Sequence, residues 1–141
     1  MFLISHRGNL NGAEFDQENK PEFIKSALNY GFDVEVDVWF IDDNFYLGHD
    51  SPDYPIDHNF LKNKKLWCHA KNLDALFELN KLNCTYFWHQ KDDYTLTSNN
   101  YIWTYPGKPL TKNSIAMIFG KKKININRCA GLCSDYIAEY R

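Results

Sequence analysis

The chain has 141 residues, of which 44% are hydrophobic and 16% aromatic, enough for one core, so we predict a single domain over residues 1–141. A formal net charge of −2, with acids and bases interspersed, gives no electrostatic reason to expect nucleic acid as a partner. The sequence shows no signal peptide and no apolar run long enough for a membrane span. We therefore predict a cytoplasmic protein without a membrane span.

The first 40 residues predict a strand, a helix and a second strand. Apolar residues 2–5 indicate a buried strand that opens into a polar loop. Pro21 suits a helix start, apolar residues follow at helical spacing, and Gly31 suits the helix end. From residue 32 the period is two, with valines 34, 36 and 38 on one face and Asp33, Glu35 and Asp37 on the other. Such a unit implies two parallel strands.

The remainder predicts one more helix and several short strands. Asn72 suits the cap of a helix that continues to about residue 82. Further strands are predicted over residues 66–70, 85–89, 101–105, 114–119 and 131–136. The pattern predicts an α/β fold, a compact TIM-barrel-like (β/α) barrel with about seven short, mostly parallel strands. Since a full eightfold barrel takes around 250 residues, several outer helices must be missing.

Two groups of side chains have structural as well as functional interpretations. Lys62 to Lys65 and Lys121 to Lys123 are most simply solvated turns, with a phosphate-binding or membrane-binding surface as the alternative. The four cysteines, Cys68, Cys84, Cys129 and Cys133, are typical of reduced thiols, because a structural zinc site would need a second closely spaced pair.

The acidic face of the strand that begins near residue 32 is a candidate metal site. Glu35 and Asp37 are two residues apart on that face and can reach one ion if the face lines a barrel. Carboxylate oxygens suit Mg²⁺, Ca²⁺ or Mn²⁺. The alternative is an amphipathic edge strand whose acids lie in water.

Two histidines and an arginine stand near these acids in the sequence. His6 closes the first strand, and His49 lies in the loop after the second. Histidines titrate near neutral pH, so a pair can supply an acid and a base beside a phosphate. Arg7 offers a planar guanidinium for phosphate oxygens.

The order of these motifs resembles the glycerophosphodiester phosphodiesterase family. The similar segments are SHRGN, QENKPEFIKSALNYGFDVEVDV and LGHD, which together cover most of residues 4–50. Residues 69–71 look like the acid-x-Lys of that family's third strand, and residues 131–136 are similar to its closing segment. The resemblance implies a barrel that hydrolyses phosphodiesters with the help of a divalent metal.

The resemblance also implies roles for individual residues. Glu35 and Asp37 would bind the metal, with Glu18 lining the site beside it. His6 and His49 would be the acid–base pair, with His49 protonating the leaving alcohol. Arg7 and Lys71 would be catalytic and substrate-binding residues that contact phosphate oxygens and stabilise the charge that develops.

The chain departs from the family at its third strand and in its length. His69 stands where the family offers an acidic metal ligand, and imidazole favours Mn²⁺, Zn²⁺ or Co²⁺ over Ca²⁺, unless His69 only orients a water. The shortened loops leave open whether the substrate is a glycerophosphodiester or a related small phosphodiester or lipid headgroup. His89 and Trp103 are candidate substrate-binding residues on later strands, with burial in the core as the alternative.

The predicted activity is therefore metal-dependent phosphodiester hydrolysis by two-histidine acid–base catalysis. Either water or a substrate hydroxyl can be the nucleophile. The alternative is a catalytically weak module on the same fold that binds a metal and a phosphorylated ligand.

Overall fold

The computed structural model describes residues 1–141 and contains ten strands and two α-helices. The strands are β1 (Phe2–His6), β2 (Asp33–Ile41), β3 (Asn44–Leu47), β4 (Tyr54–Ile56), β5 (Leu66–Ala70), β6 (Thr85–Phe87), β7 (Tyr94–Leu96), β8 (Ile102–Thr104), β9 (Ser114–Ile118) and β10 (Gly131–Ser134). The helices are α1 (Pro21–Asn29) and α2 (Leu73–Leu79), and three 3₁₀ turns cover Phe60–Lys62, Ile126–Arg128 and Ile137–Tyr140.

All ten strands belong to one curled sheet. Parallel pairing runs through β6, β5, β2, β1, β10, β9 and β8 in that order. Three further strands are antiparallel, because β3 pairs with β2, β4 with β3, and β7 with β8. The sheet is open, since β6 pairs only with β5 and β7 only with β8. The result is a mixed half-barrel.

The predicted fold class is therefore wrong. A mostly parallel α/β barrel needs a helix after most strands, whereas this chain has two short helices and is 18% helical. A hairpin of β3 and β4 takes the place of a helix between β2 and β5. The turn that leads from β2 into β3, at Asp42 and Asp43, has φ of +49° and +62° at the two residues, as a tight two-residue hairpin requires. A short chain makes such connections because they use fewer residues than a helix.

The alternation in β2 separates the core from the concave face of the sheet. The side chains of Val34, Val36 and Val38 are fully buried with Ile24 and Ala27 of α1. The intervening acids lie on the opposite face, where Asp33 accepts a hydrogen bond from Trp67 Nε1. Because the sheet curls, that face contains a second apolar cluster, formed by Ile4, Trp67, Phe87, Trp103, Ile115, Met117 and Cys133. Glu35 and Asp37 therefore lie above an apolar floor and not in open water.

Candidate metal centre and surrounding pocket

Three side chains on two adjacent strands bring possible ligand atoms together. Asp37 of β2 is in register with His69 of β5, and Glu35 precedes Asp37 on the same face. One ligand atom from each of these residues lies within 4.8 Å of the other two. Metal–donor bonds of about 2.0–2.6 Å allow one ion to join donors at such separations. Glu35, Asp37 and His69 can therefore hold a metal ion, and we call these three residues the metal-binding group.

Unpaired atoms in this group fit a cation. Glu35 Oε2 is buried and accepts no hydrogen bond. The buried Asp37 Oδ1 accepts none of good geometry, although His69 Nδ1 lies 3.2 Å and Lys71 Nζ 3.6 Å away. A buried acceptor without a hydrogen bond costs about 1–3 kcal/mol, so these two oxygens favour a positive charge nearby, which a bound ion would supply. His69 Nε2 lies 2.8 Å from the backbone oxygen of His89, to which its N–H can donate. That bond leaves His69 Nδ1, which lies 3.2 Å from Asp37 Oδ1, as the nitrogen available to a metal.

Positive groups compensate for the complete burial of Asp37. Burial alone would raise the pKa of its carboxyl, but His69, Arg7 and Lys71 hold that pKa well below its usual range. Burial also opposes the charged form of His69, yet contacts with Asp37 and Glu35 raise the pKa of His69 to about 9. With no ion bound, the His69 proton supplies positive charge near neutral pH, and an ion that binds His69 Nδ1 displaces that proton.

Loop residues on the β1 side fix the position of Asp37. Asn19, with φ of +63°, donates from Nδ2 to Asp37 Oδ2 at 2.8 Å and accepts from the Asp37 backbone N–H at 2.9 Å. Arg7 Nε lies 2.9 Å from the same Asp37 oxygen as an ion pair without hydrogen-bond geometry. Glu18 accepts from Arg7 Nη1 at 3.1 Å and from Asn9 Nδ2 at 2.8 Å. Glu18 thus holds Arg7 and lies outside the group of three metal-binding candidates.

His6 is oriented by a carboxylate from the far end of the chain. His6 Nδ1 lies 2.7 Å from Asp135 Oδ1, which also accepts from Asn9 Nδ2 at 2.8 Å. Burial would raise the pKa of Asp135, but the bond to His6 and that to Asn9 hold it below its usual range. In the neutral imidazole that donates Nδ1–H to Asp135, the other ring nitrogen, Nε2, is free to accept a proton; Nε2 lies 3.9 Å from Glu35 Oε2.

The loop that carries His49 is attached to the same strand as Asp37. The backbone N–H of Gly48 donates to the backbone oxygen of Asp37 at 3.1 Å, and Trp39 Nε1 donates to the Gly48 oxygen at 2.7 Å. His49 is more exposed than His6, and its Nδ1 lies 2.8 Å from Asp50 Oδ1. These bonds place His49 at the rim of the site.

Substitution of Gly48 by alanine should destabilise this loop. Its φ is +154°, and an added Cβ would overlap the backbone oxygen of Ser51, which cannot move without the loop. We expect Gly48→Ala to lower the free energy of unfolding by at least about 2 kcal/mol, measured by urea denaturation. Gly107→Ala is the matched control, because Gly107 also has positive φ, at +81°, but open space around its Cβ position. Equal losses in the two variants would contradict the steric argument.

One pocket of about 320 Å³ contains most of the predicted site residues. Its lining includes His6, Arg7, Glu35, His49, His69, Lys71, His89 and Trp103. Asp37 lies beneath it, with its Oδ1 3.6 Å from Lys71 Nζ. Trp103 forms part of the apolar floor, where its ring stacks on Phe87 at 4.4 Å, so it belongs to both the core and the pocket. The structure therefore brings residues from six segments of the chain into one cavity.

Sequence reasoning missed three polar residues of this site: Asn9, Asn19 and Asp135. Asp135 could have been recognised, because it lies in the closing segment that resembles the phosphodiesterase family, but the sequence analysis assigned it no role. Asn19 was part of a recognised motif, but only its neighbour Glu18 had been given a function.

Comparisons with known proteins identify no relative of this chain, since no protein-family model, no curated protein and no solved structure matches it. Both α-helices are too short and too polar to cross a lipid bilayer.

Proposed function

We propose that the protein is a metal-dependent phosphodiester hydrolase. The observation that carries the proposal is the position of His6, whose Nδ1 is bound to Asp135 and whose Nε2 lies 3.9 Å from a carboxylate of the metal-binding group. His49, Arg7 and Lys71 line the same pocket. An oriented imidazole, a metal site and two cations around one cavity are the parts that displacement at phosphorus requires.

The charges of the pocket favour an anionic substrate when a divalent ion is present. The carboxylates of Glu18, Glu35 and Asp37 outnumber the cations Arg7 and Lys71 by one. Glu18 lies 3.1 Å from Arg7, and both cations lie within 3.6 Å of Asp37 oxygens. A bound divalent ion therefore leaves this part of the pocket positive. A phosphodiester, with one negative charge, fits such a cavity.

The metal is proposed to be divalent and held by Glu35, Asp37 and His69. When bound, such an ion polarises a phosphoryl oxygen and neutralises charge. Two carboxylates and one imidazole make Mn²⁺, Zn²⁺ or Co²⁺ better candidates than Mg²⁺ or Ca²⁺, which prefer oxygen ligands.

The two histidines are proposed to divide the proton transfers. His6 Nε2, as an acceptor inside the pocket, takes a proton from the nucleophile, either water or a substrate hydroxyl, as it attacks phosphorus. His49, at the more exposed rim, donates a proton to the leaving alcohol. Arg7 and Lys71 bind the non-bridging oxygens and stabilise the charge that develops on them.

The substrate is proposed to be a glycerophosphodiester or a related small phosphodiester or lipid headgroup. Much of the remaining lining of the pocket is aromatic, with Trp88, His89, Trp103, Tyr105 and Phe119. The cavity volume of about 320 Å³ is at the low end for small-molecule sites, which supports a small substrate.

A screen of metals against diesters tests the proposal. Wild-type protein is stripped with a chelator, reloaded with Mg²⁺, Mn²⁺, Ca²⁺, Zn²⁺ or Co²⁺, and assayed on bis(p-nitrophenyl) phosphate and on glycerophosphodiesters. We expect turnover that requires the metal, with Mn²⁺, Zn²⁺ or Co²⁺ most effective. Binding of metal and phosphate in calorimetry without turnover on any diester would instead identify a binding module.

Substitution of Asp135 by asparagine tests the orientation of His6. The amide nitrogen of asparagine can donate to Nδ1 and so favours the tautomer in which Nε2 carries the proton and cannot act as a base. We expect kcat to fall at least about tenfold, with metal affinity unchanged and the pH dependence of kcat shifted. Asp57→Asn is the control, because Asp57 lies 3.7 Å from His58 Nδ1 and neither residue lines the pocket. A fall in metal affinity that matches the fall in kcat would contradict a role in orienting His6.

A further inference from the structure

Basic residues are concentrated in one segment of the chain. Residues 105–128 contain six of the sixteen lysines and arginines and none of the eighteen aspartates and glutamates. The overall charge of −2 therefore hides a strongly positive segment within an otherwise acidic protein. The basic and acidic residues are therefore not interspersed along the whole chain, as the sequence analysis expected.

Three of these cations line a second pocket, beside β9, and a fourth lines a depression that adjoins it. The pocket has a volume of about 280 Å³ and is mainly apolar, with Leu110, Ala116, Met117, Ile118, Phe119 and Ile124 among its lining residues. Lys108, Lys122 and Lys123 also line it, and Arg128 joins Lys108 and Lys123 in lining an adjoining depression. We call the four cations and the apolar pocket the basic face.

Most of the charge on the basic face is uncompensated. Lys108 pairs with Asp93 at 3.0 Å, but Lys122, Lys123 and Arg128 form no ion pair and are exposed. Neighbouring Lys121 does have a partner, Glu139. Three unpaired cations around an apolar depression match a partner that presents negative charge and apolar groups together.

The basic face adjoins the pocket of the proposed active site. Tyr105, Pro106, Met117 and Phe119 line both cavities. Tyr105 and Phe119 are 44% and 48% exposed, and the centroids of their rings are 6.3 Å apart. Aromatic side chains beside lysines are typical of protein surfaces that lie in the headgroup region of a bilayer.

We propose that the basic face binds the surface of an anionic lipid bilayer. Lys122, Lys123 and Arg128 interact with the negative headgroups, and Phe119 and Ile124 contact the apolar region below them. A nucleic acid also offers negative charge, but its phosphates and sugars are polar and would not bind favourably in an aliphatic pocket lined by Leu110, Ile118 and Ile124. Binding would hold the pocket of the proposed active site close to the lipid headgroups. This inference concerns binding alone and does not depend on the proposed hydrolysis.

Sedimentation with lipid vesicles tests the proposal. Vesicles of phosphatidylcholine with about 30% phosphatidylserine are compared with pure phosphatidylcholine, since one lysine near an anionic surface contributes about fivefold to partitioning. We expect the 141-residue chain to bind the anionic vesicles at least about tenfold more tightly than the neutral ones, and binding to weaken as salt is raised. Equal binding to both kinds of vesicle, or no binding to either, would overturn the proposal.

Charge-reversal variants locate the contact. Lys122→Glu with Lys123→Glu should reduce partitioning by at least about 25-fold, because two favourable contacts are lost. Lys62→Glu with Lys91→Glu is the matched control, since both lysines are exposed, unpaired and outside the two pockets. Equal losses in the two double variants would show a general charge effect and overturn the assignment to this face.

An apolar substitution separates lipid from nucleic acid. Ile124→Asn should reduce vesicle binding by about tenfold, whereas Leu73→Asn, at a 66% exposed position on α2, should not change it. Circular dichroism confirms that each variant is folded. Tighter binding of a single-stranded oligonucleotide than of anionic vesicles at the same salt, insensitive to Ile124→Asn, would assign the face to nucleic acid and overturn the lipid proposal.

Discussion

Replacement of His6 by glutamine is expected to lower kcat for bis(p-nitrophenyl) phosphate by about 10²–10⁴-fold, the range for loss of a general base. Glutamine can still donate to Asp135 but has no group that titrates near neutral pH. His49→Ala should cause a loss of similar size, and a larger one for substrates with poor leaving groups, because His49 is the proposed acid. Neither residue belongs to the group that can hold the metal, so metal affinity in calorimetry should remain within about threefold of wild type.

The control for these variants is His58→Gln. His58 is half exposed, lies 3.7 Å from Asp57, and lines none of the pockets described, so its loss should leave kcat unchanged. The double variant of His6 and His49 should lose less than the product of the single losses, because the two groups act in one reaction. A wild-type kcat in His6→Gln would show that His6 takes no part in the reaction, even if the reaction requires a metal.

Local patterns in the sequence predicted the part of the fold that carries the metal-binding group. The helix start at Pro21, the glycine at residue 31 and the alternation after residue 32 are short-range signals, and the structure has α1 and β2 there. Parallel pairing of β1 with β2 then places His6 in register with Glu35. The alternation also left two interpretations of the acids, and curvature of the sheet, a property of the whole chain, determined which face they occupy.

Long-range features could not be predicted in the same way. The strands β3, β4 and β7 are antiparallel and only three or four residues long, so their sequences show little periodicity. The sheet is open at its edges, and no short sequence pattern indicates whether a sheet closes into a barrel. The contact of His6 with Asp135 joins residues 129 positions apart. Glu18 was placed by analogy beside the metal, whereas its contacts with Arg7 and Asn9 depend on the conformation of the loop before α1.

Loss of either carboxylate of the candidate metal site should weaken metal binding at least about 100-fold, but only loss of Asp37 should also strongly destabilise the metal-free protein. Removal of an outer partner of a metal ligand typically costs 10–100-fold in affinity, so Glu35→Gln and Asp37→Asn should each cost at least about 100-fold. Both variants should therefore lack metal-dependent turnover. Their stabilities without metal should differ, because the two carboxylates have different partners.

Asp37→Asn is expected to lower the free energy of unfolding of the metal-free protein by about 3–5 kcal/mol, as for other broken buried ion pairs. Asp37 is fully buried, and its charge offsets Arg7, Lys71 and protonated His69. Glu35 Oε2 has no hydrogen-bond partner, so Glu35→Gln should cost about 1 kcal/mol or less. Urea denaturation with excess chelator at neutral pH measures both. Equal stabilities would mean that Arg7 and Lys71 rearrange into water when the charge of Asp37 is lost, and that the charge balance around Asp37 does not support the fold.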